Sequence, residues 1–240
     1  MKTVLLKLSG EILADHSQQE PQKLPTAAAA KDHLQNIAEQ LKTLSSTHRF
    51  AIVIGGGNFF RARQVRQELQ LRQAVADTIG MLATAMNGLL LQEYFNHQGL
   101  PSVLLSAIPL PSLTQAINQT TIDDAFAAGK CIIFCGGTGN PYFTTDTTAI
   151  VRALQITADE VWKATTVDYV YDGDPKLDKK CKPLPQVSYQ EVLQKQLKIM
   201  DLTAIALAQQ YKIKIRIFNA FAPQALEDAA RTPTFGSTIL

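Results

Sequence analysis

Short apolar segments alternate along this chain with longer segments in which apolar residues recur every three or four positions. The short segments are rich in Val, Ile and Leu and almost continuously hydrophobic, which is typical of strands covered on both faces. They predict six β-strands, at residues 3–8, 50–54, 102–105, 131–135, 160–164 and 214–219.

The longer segments predict helices. Residues 77–95 are apolar almost all round, which indicates a helix that is deeply buried or lies at a subunit contact. Ser188 and Glu191 fit a capping box that opens another helix. Apolar residues at helical spacing predict two more helices, one with Leu34, Ile37, Ala38, Leu41 and Leu44 and one with Ala204, Ile205, Ala208 and Tyr211.

This alternation predicts an α/β fold, namely a three-layer α/β/α sandwich with a mainly parallel central sheet. No linker, low-complexity tract or internal repeat divides the chain, so residues 1–240 are expected to form a single domain. Ligands of such sheets bind at the carboxyl ends of the strands. The residues that follow each strand are therefore the candidates for function.

The composition excludes several classes of protein. Hydrophobic residues make up 46% and charged residues 18% of the 240 residues, and the net charge is +2. A disordered chain would be less apolar and more charged. A nucleic-acid binder would need a larger cationic excess, so nucleic acid is not expected as the main partner. Positive charge for a polyanionic ligand must therefore be local.

Cysteine usage and the apolar runs bear on the compartment. The cysteine count is three, an odd number that suggests a reducing environment. Lys7 ends the N-terminal apolar run before it reaches the length of a signal peptide core. The longest uncharged helical stretch, residues 78–92, is too short to span a bilayer. We therefore predict a cytoplasmic protein without a membrane segment.

No metal site is predicted within the chain itself. Cys131 and Cys135 lie on one face of a predicted strand, and with no further Cys or His nearby they are interpreted as small core residues. The four His residues are scattered and none has a partner at ligand spacing. No Ser/His/Asp or Cys/His set for nucleophilic catalysis is evident either.

The first two strands are followed by candidate anion-binding groups. Lys7, with Ser9 and Gly10 behind it, can direct an ammonium and backbone N–H groups at an anion. The alternative for Lys7 is a solvated charge at a strand end. The glycines at 55–57 and the cation of Arg61 lead into a helix, a combination that favours phosphate binding over a plain turn. Neither a dinucleotide fingerprint nor a P-loop is present.

The next two loops extend this pattern. A second glycine-rich loop, residues 136–146, offers hydroxyl and amide groups and ends where a helix begins, with Thr145 or Asp146 as the expected N-cap. Two such loops suggest that two anionic groups are brought together. Residues 163–175 interleave aromatic, hydroxyl and carboxylate groups, as a nucleoside pocket requires, and residues 176–185 are interpreted as a surface loop.

In their order and spacing these motifs resemble those of the bacterial uridylate kinases, members of the amino-acid-kinase superfamily, nearly end to end. The segments that carry the resemblance are Lys7 to Glu11, Gly55 to Asn58 with Arg61, Asp77 to Thr84, Gly137 to Asp146, Lys163 to Pro175 and Met200 to Leu202. Each motif is weak alone, and the six together are specific. The resemblance implies the amino-acid-kinase fold and transfer of the ATP γ-phosphoryl group to UMP, with Mg²⁺, in pyrimidine nucleotide biosynthesis.

The resemblance also assigns residues. ATP would be bound by Lys7, Leu8, Ser9, Gly10, Gly57, Arg61, Thr165, Tyr171 and Asp174. UMP would be bound by Gly56, Asp77, Thr138, Gly139, Asn140, Pro141, Tyr142, Phe143, Thr144 and Thr145. The catalytic set would be Lys7, Arg61, Asp146, Lys163 and Asp201, with the two aspartates positioning the lysines. For Asp201, an N-cap is the alternative. Relatives of this family are homohexamers activated by GTP and inhibited by UTP.

Three features depart from the family pattern, and two further functions stay open. Ala62 and Tyr169 replace usual glycines, and residues 14–30 lack the glycine-rich character of the family's loop over the active site. If the position of Tyr169 required positive φ, tyrosine would be strained there. The alternatives are a superfamily kinase acting on a carboxylate or carbamate, and a non-catalytic nucleotide sensor.

Overall fold

The computed structural model describes residues 1–13, 27–60, 62–173, 180–197, 199–220 and 222–240. Eleven strands lie within these residues: β1 Lys2–Leu8, β2 His48–Ile54, β3 Ser102–Ser106, β4 Gln115–Ala116, β5 Cys131–Cys135, β6 Glu160–Thr165, β7 Val170–Tyr171, β8 Pro183–Leu184, β9 Gln186–Val187, β10 Ile215–Asn219 and β11 Ser237–Ile239. The helices are α1 Ala27–Leu44, α2 Ala62–Leu69, α3 Gln73–His97, α4 Gln119–Ala127, α5 Thr145–Gln155, α6 Tyr189–Gln194, α7 Leu202–Tyr211 and α8 Ala225–Arg231, with a 3₁₀ turn at Gly10–Leu13.

Nine of the described strands form one sheet in the order β4-β3-β5-β2-β1-β6-β10-β11-β9. Every pair in it is parallel except β10 and β11. Successive residues of a strand point to opposite faces, so β1 sends Leu6 to one face and Leu5 to the other. Leu6 packs in a core with α1, α3 and α8, and Leu5 in a core with α4, α5, α6 and α7. The predicted three-layer sandwich is therefore confirmed.

All six predicted strands are present, four of them extended by one or two residues, and the last begins one residue later than predicted, at Ile215. The sequence did not predict β4, β7, β8 and β9, because two-residue strands carry no readable period. It also missed β11, which pairs antiparallel with β10 at the end of the chain. Cys131 and Cys135 are free thiols buried in the core that contains Leu6, as expected. Burial raises the pKa of Cys131 to about 12 and that of Cys135 to about 11.

Helix α3 is longer than predicted. It runs over 25 residues, so by length and composition alone it is long and apolar enough to cross a membrane, contrary to the estimate from the uncharged stretch. It is nevertheless in contact with β2, β3 and β5 of the sheet. The helix is not buried all round, because the apolar side chains of Leu82, Met86 and Leu90 lie exposed on the side away from the sheet.

Candidate active site at the carboxyl ends of the strands

A carboxylate bridges two lysines at the centre of the sheet. Lys7 of β1 and Lys163 of β6 are register partners on neighbouring parallel strands. The carboxylate of Asp146 lies between them, with Oδ1 3.2 Å from Lys7 Nζ and Oδ2 2.7 Å from Lys163 Nζ. The three side chains are 10% to 15% exposed. Lys7 is therefore a nearly buried, paired cation, and the alternative of a solvated strand-end charge is wrong.

Asp146 is available to the lysines because another residue caps its helix. Thr144 is the N-cap of α5, where its Oγ1 accepts hydrogen bonds from the amides of Asp146 and Thr147 at 3.0 and 3.3 Å. The expected cap at Thr145 or Asp146 is thus wrong by at least one residue. Asp146 lies in the first turn, where the helix dipole favours negative charge.

Burial and charge set the protonation of this cluster. Burial would raise the pKa of Asp146, but the ammonium groups of Lys7 and Lys163 outweigh it, so the pKa lies below its ordinary value. Burial lowers the pKa of Lys163, the positive charge of Lys7 lowers it further, and Asp146 offsets only part of this. Lys163 Nζ also donates to the backbone carbonyl of Ile199.

Asp201 links the N-terminal ends of helices α5 and α7. It is the N-cap of α7, with Oδ1 accepting from the amide of Ala204 at 3.0 Å. It also accepts hydrogen bonds from the hydroxyls of Thr144 and Thr147. The N-cap alternative for Asp201 is therefore observed. Its influence on Lys163 is through its charge, which raises the pKa of that lysine.

The first glycine-rich loop, residues 55–58, packs tightly on α3. A Cβ atom at Gly56 would lie 2.8 Å from the Cβ of Ala83 and 2.9 Å from the carbonyl oxygen of Gly80. At Gly57 a Cβ atom would meet nothing within 4 Å. Gly56 is thus packed against the protein, whereas the space next to Gly57 is open, which suits close approach by a ligand. Gly10 lies against this loop, since its Cβ would be 2.7 Å from the carbonyl oxygen of Gly55.

The second glycine-rich loop follows β5 and is shaped by its own contacts. Gly139 has a φ of +83°, and its Cβ would lie 2.9 Å from the carbonyl oxygen of Ala107, so only glycine fits. The Thr138 hydroxyl accepts from the amide of Asn140 at 3.2 Å. Predicted UMP-site residues from Thr138 to Thr145 form one continuous segment that leads into α5. Its exposed large apolar side chains are Tyr142, at 72%, and Phe143, at 50%.

Asp77 of α3 contacts this second loop directly. Its Oδ2 accepts a hydrogen bond from the amide of Tyr142 at 2.8 Å, and its Oδ1 accepts from Gln73 Nε2 at 2.7 Å. Tyr142 has a φ of +72°, an unusual conformation for a residue with a side chain. Asp77 and the 138–145 segment, which the resemblance assigns to the same substrate, are therefore in contact, although Asp77 and Tyr142 are 65 residues apart in the chain.

The residues expected around the ATP nucleoside lie after β6. The Thr165 hydroxyl accepts from the amide of Val167 at 3.1 Å and shapes the turn. Tyr171 lies on β7, opposite Pro183 of β8. Tyr169 is not among the described residues with positive φ, so the condition under which tyrosine would be strained there is not met. The side chain of Leu8 is fully buried in the core, which leaves only its backbone for a ligand.

Two predicted site residues, Arg61 and Asp174, lie outside the described residues, as do residues 14–26 of the expected loop over the site.

Sequence reasoning missed two residues of α3 that contact the candidate site. Thr84 and Asn87 contact the two glycine-rich loops. The available signal was two polar residues three positions apart within the stretch 79–91, which has no other polar side chain.

Comparison with known proteins identifies the family of this chain. The sequence profile described as the amino acid kinase family matches residues 2–219. The chain belongs to the amino acid kinase family. A "Uridylate kinase" of Fervidobacterium nodosum is 38% identical over 241 residues, covering 100% of this chain and 98% of the relative. A "Uridylate kinase" of Mycoplasmoides gallisepticum is 37% identical over 93% of this chain and 92% of the relative.

Solved structures give the same result for this amino acid kinase. The UMP kinase from Ureaplasma parvum superposes with a TM-score of 0.89 at 31% identity, covering 99% of this chain and 98% of the other. The UMP kinase from Bacillus anthracis superposes with a TM-score of 0.90 at 29% identity, covering 99% and 95%. The fold expected from the resemblance is therefore confirmed.

Proposed function

We propose that this protein is a uridylate kinase, which transfers the γ-phosphoryl group of ATP to UMP and yields UDP and ADP. The observation that carries the proposal is the pair of register-matched lysines bridged by Asp146, on a pair of strands adjacent in the sheet to the pair that leads into the two glycine-rich loops. Full-length similarity to proteins named uridylate kinase supports UMP as the acceptor.

The geometry suits phosphoryl transfer. The reaction requires alignment of donor and acceptor and stabilisation of charge on the moving group, with little covalent chemistry. Lys7 and Lys163 bring two positive charges to one buried place, and Asp146 fixes both ammonium groups. Preorganised charges in a site with little water are worth more than the same charges in bulk water. The acceptor phosphate is ionised at neutral pH, so a general base is not needed.

We assign the glycine loop at 55–58, with Lys7, Ser9 and Gly10, to the donor phosphates. The loop from Thr138 to Thr145 and Asp77 are assigned to UMP, and Thr165 and Tyr171 to the ATP nucleoside. Mg²⁺ would enter as MgATP, bound mainly to phosphate oxygens and water. Both oxygens of Asp146 already face lysine ammonium groups, which supports placing the metal on the phosphates.

Assembly, regulation and location extend the proposal. We propose a homo-oligomer, a hexamer by resemblance, and the exposed apolar side chains Leu82, Met86 and Leu90 of α3 support a subunit contact. Activation by GTP, inhibition by UTP, a cytoplasmic location and a role in pyrimidine nucleotide biosynthesis are carried over from the resemblance. The free thiols of Cys131 and Cys135 fit a reducing compartment.

A coupled assay of ADP release from MgATP tests the function. UMP, CMP, dUMP and N-acetylglutamate would be compared as acceptors. We expect ADP release with UMP and none with N-acetylglutamate. Activity on N-acetylglutamate without activity on UMP would favour a superfamily kinase acting on a carboxylate. Nucleotide binding with no turnover on any acceptor would favour a non-catalytic sensor.

A further inference from the structure

Helix α3 carries a polar residue at its most buried point. Asn87 is 0% exposed, within a helix whose other fully or nearly buried residues include Ala83, Leu91 and Phe95. A buried carboxamide is costly unless its donors and acceptor are paired. The hydrogen-bond partners of Asn87 therefore indicate its role.

Asn87 is bonded to the first glycine-rich loop. Its Nδ2 donates to the carbonyl oxygen of Gly55 at 2.6 Å and to Asn58 Oδ1 at 2.7 Å. Its Oδ1 accepts from Asn58 Nδ2 at 3.1 Å. Both amide hydrogens and the oxygen are thus used, and the two ends of the loop at 55–58 are tied to one helix position.

Thr84, three residues earlier and so on the same face of α3, is bonded to the second loop. Its Oγ1 accepts from the amide of Gly136 at 2.8 Å and donates to the carbonyl oxygen of Met81 at 2.7 Å. Gly136 is the first residue after β5, where the second loop begins. One helical turn therefore holds the start of both glycine-rich loops.

Close packing limits how near α3 can come to the sheet and to the first glycine-rich loop. A Cβ atom at Gly88 would lie 2.5 Å from Leu104 Cδ1 of β3, and one at Gly56 would lie 2.8 Å from the Cβ of Ala83. The helix is thus already as near to the sheet and the first loop as glycine permits. The hydrogen bonds of Thr84 and Asn87 prevent the loops from moving away, and the glycine contacts prevent closer approach.

We propose that Thr84 and Asn87 are positioning residues that hold the donor-phosphate loop and the acceptor loop at a fixed separation. This inference rests on the proposed function, which places ATP phosphates on one loop and UMP on the other. Neither side chain needs to touch a substrate. A displacement of about 1 Å between reacting groups can lower a rate by about a hundredfold, so a shared anchor has a direct kinetic consequence.

The test compares Thr84→Val with Thr84→Ser and with Thr3→Val. Valine keeps the shape of threonine but cannot accept from the Gly136 amide, whereas serine keeps the hydroxyl. Thr3 is a matched control, because it is 2% exposed, lies at the amino end of β1, and has an Oγ1 that accepts from Arg49 at 3.0 Å. Assays would be run well below the unfolding temperature of every variant.

We expect Thr84→Val to lower kcat by about tenfold or more while the KM values for ATP and UMP change less than about threefold, since each loop still binds its own substrate. Thr84→Ser should restore most of kcat, and Thr3→Val should leave it unchanged. A kcat for Thr84→Val equal to that of Thr3→Val, at a similar shift in unfolding temperature, would overturn the proposal.

Amide hydrogen exchange on the ligand-free protein provides a readout that does not depend on the substrate. Asn87→Ser should accelerate exchange in residues 55–58, and Thr84→Val should accelerate exchange at Gly136. Unchanged exchange in both variants would overturn the anchoring role even if the enzyme phosphorylates UMP. Conversely, faster exchange in both variants, together with a parent protein that is inactive on UMP, would support the anchor and overturn the proposed function.

Discussion

Lys7 and Lys163 are register partners on adjacent parallel strands, so two ammonium groups are brought together at the carboxyl edge of the sheet. Such like charges repel at close range in a buried place. The carboxylate of Asp146 contacts both, so these three contacting groups together carry a net positive charge. A site with this balance is suited to an anion, which would supply the missing negative charge.

Replacing Asp146 by Asn should weaken both folding and turnover. The change leaves two nearly buried ammonium groups without their counter-ion, and loss of one partner in a buried pair typically costs about 3–5 kcal/mol. We expect a loss of this order in urea unfolding, partly recovered by a non-hydrolysable ATP analogue whose phosphates replace the missing charge. Turnover at saturating substrate should fall by at least about a hundredfold, because the lysines lose their fixed positions.

The matched control for Asp146→Asn is Lys195→Met. Lys195 forms an exposed i,i+4 pair with Glu191 at 3.2 Å. Loss of such a solvent-screened pair costs much less than loss of a buried one. If Asp146→Asn lost no more stability than Lys195→Met, the bridge between Asp146 and the two lysines would not stabilise the fold.

The lowered pKa of Lys163 predicts a rise in stability with pH. Above the folded-state pKa the native protein has released this proton, while the unfolded chain holds it up to about pH 10.5. The unfolded state then binds more protons, so the free energy of unfolding increases with pH, by at most about 1.4 kcal/mol per pH unit for one group. Urea unfolding across this alkaline window should show the contribution in the parent and not in Lys163→Met. Parallel pH dependences in both proteins would contradict it.

Gly56→Ala should destabilise the protein far more than Gly57→Ala. The new methyl group at position 56 would collide with α3, whereas at position 57 it meets nothing within 4 Å. Overpacking of this kind typically costs about 1–3 kcal/mol, against about 0.5 kcal/mol or less for an uncrowded site. Urea denaturation of the two variants measures the difference. Gly57→Ala should instead raise the KM for ATP, because its methyl group fills the space assigned to phosphate.

Asp77→Ala should raise the KM for UMP about tenfold or more and leave the KM for ATP unchanged. The variant loses the charge-assisted hydrogen bond that holds the Tyr142 amide, a contact worth about 1.5–3 kcal/mol. Steady-state kinetics with each substrate varied in turn measures both constants. Asp123→Ala is a close control, since Asp123 accepts from Gln119 at 2.9 Å as Asp77 accepts from Gln73. A similar rise in both variants would argue against a role for Asp77 at the acceptor loop.

Much of the site was predictable because strand ends in a parallel sheet share one edge. Continuous apolar runs located β1, β2, β5 and β6, and the rule that ligands bind at their carboxyl ends brought Lys7, Lys163 and the two glycine-rich loops together. No contact had to be known for this step. The rule depends only on strand direction, which alternation with helices determines.

Other features depend on contacts between residues that are distant in the sequence, and these could not be predicted from the sequence. By residue type, the N-cap of α5 could be Thr144, Thr145 or Asp146. Thr144 is the cap in the structure, because the carboxylate of Asp146 forms ion pairs with Lys7 and Lys163. Asn87 reaches Gly55 across 32 residues, so its partner could not be inferred from local spacing. The short strands β7 and β8 depend on pairing with each other, which no hydrophobic period reveals.

Quantification of UDP and ADP by ion-exchange chromatography, after incubation with MgATP and UMP, tests the central claim most directly. The proposed transfer predicts one UDP for each ADP, formed only when UMP is present, and loss of both products in Asp146→Asn. ADP formed without UDP, or ADP formation that does not depend on UMP, would contradict transfer between the two loops.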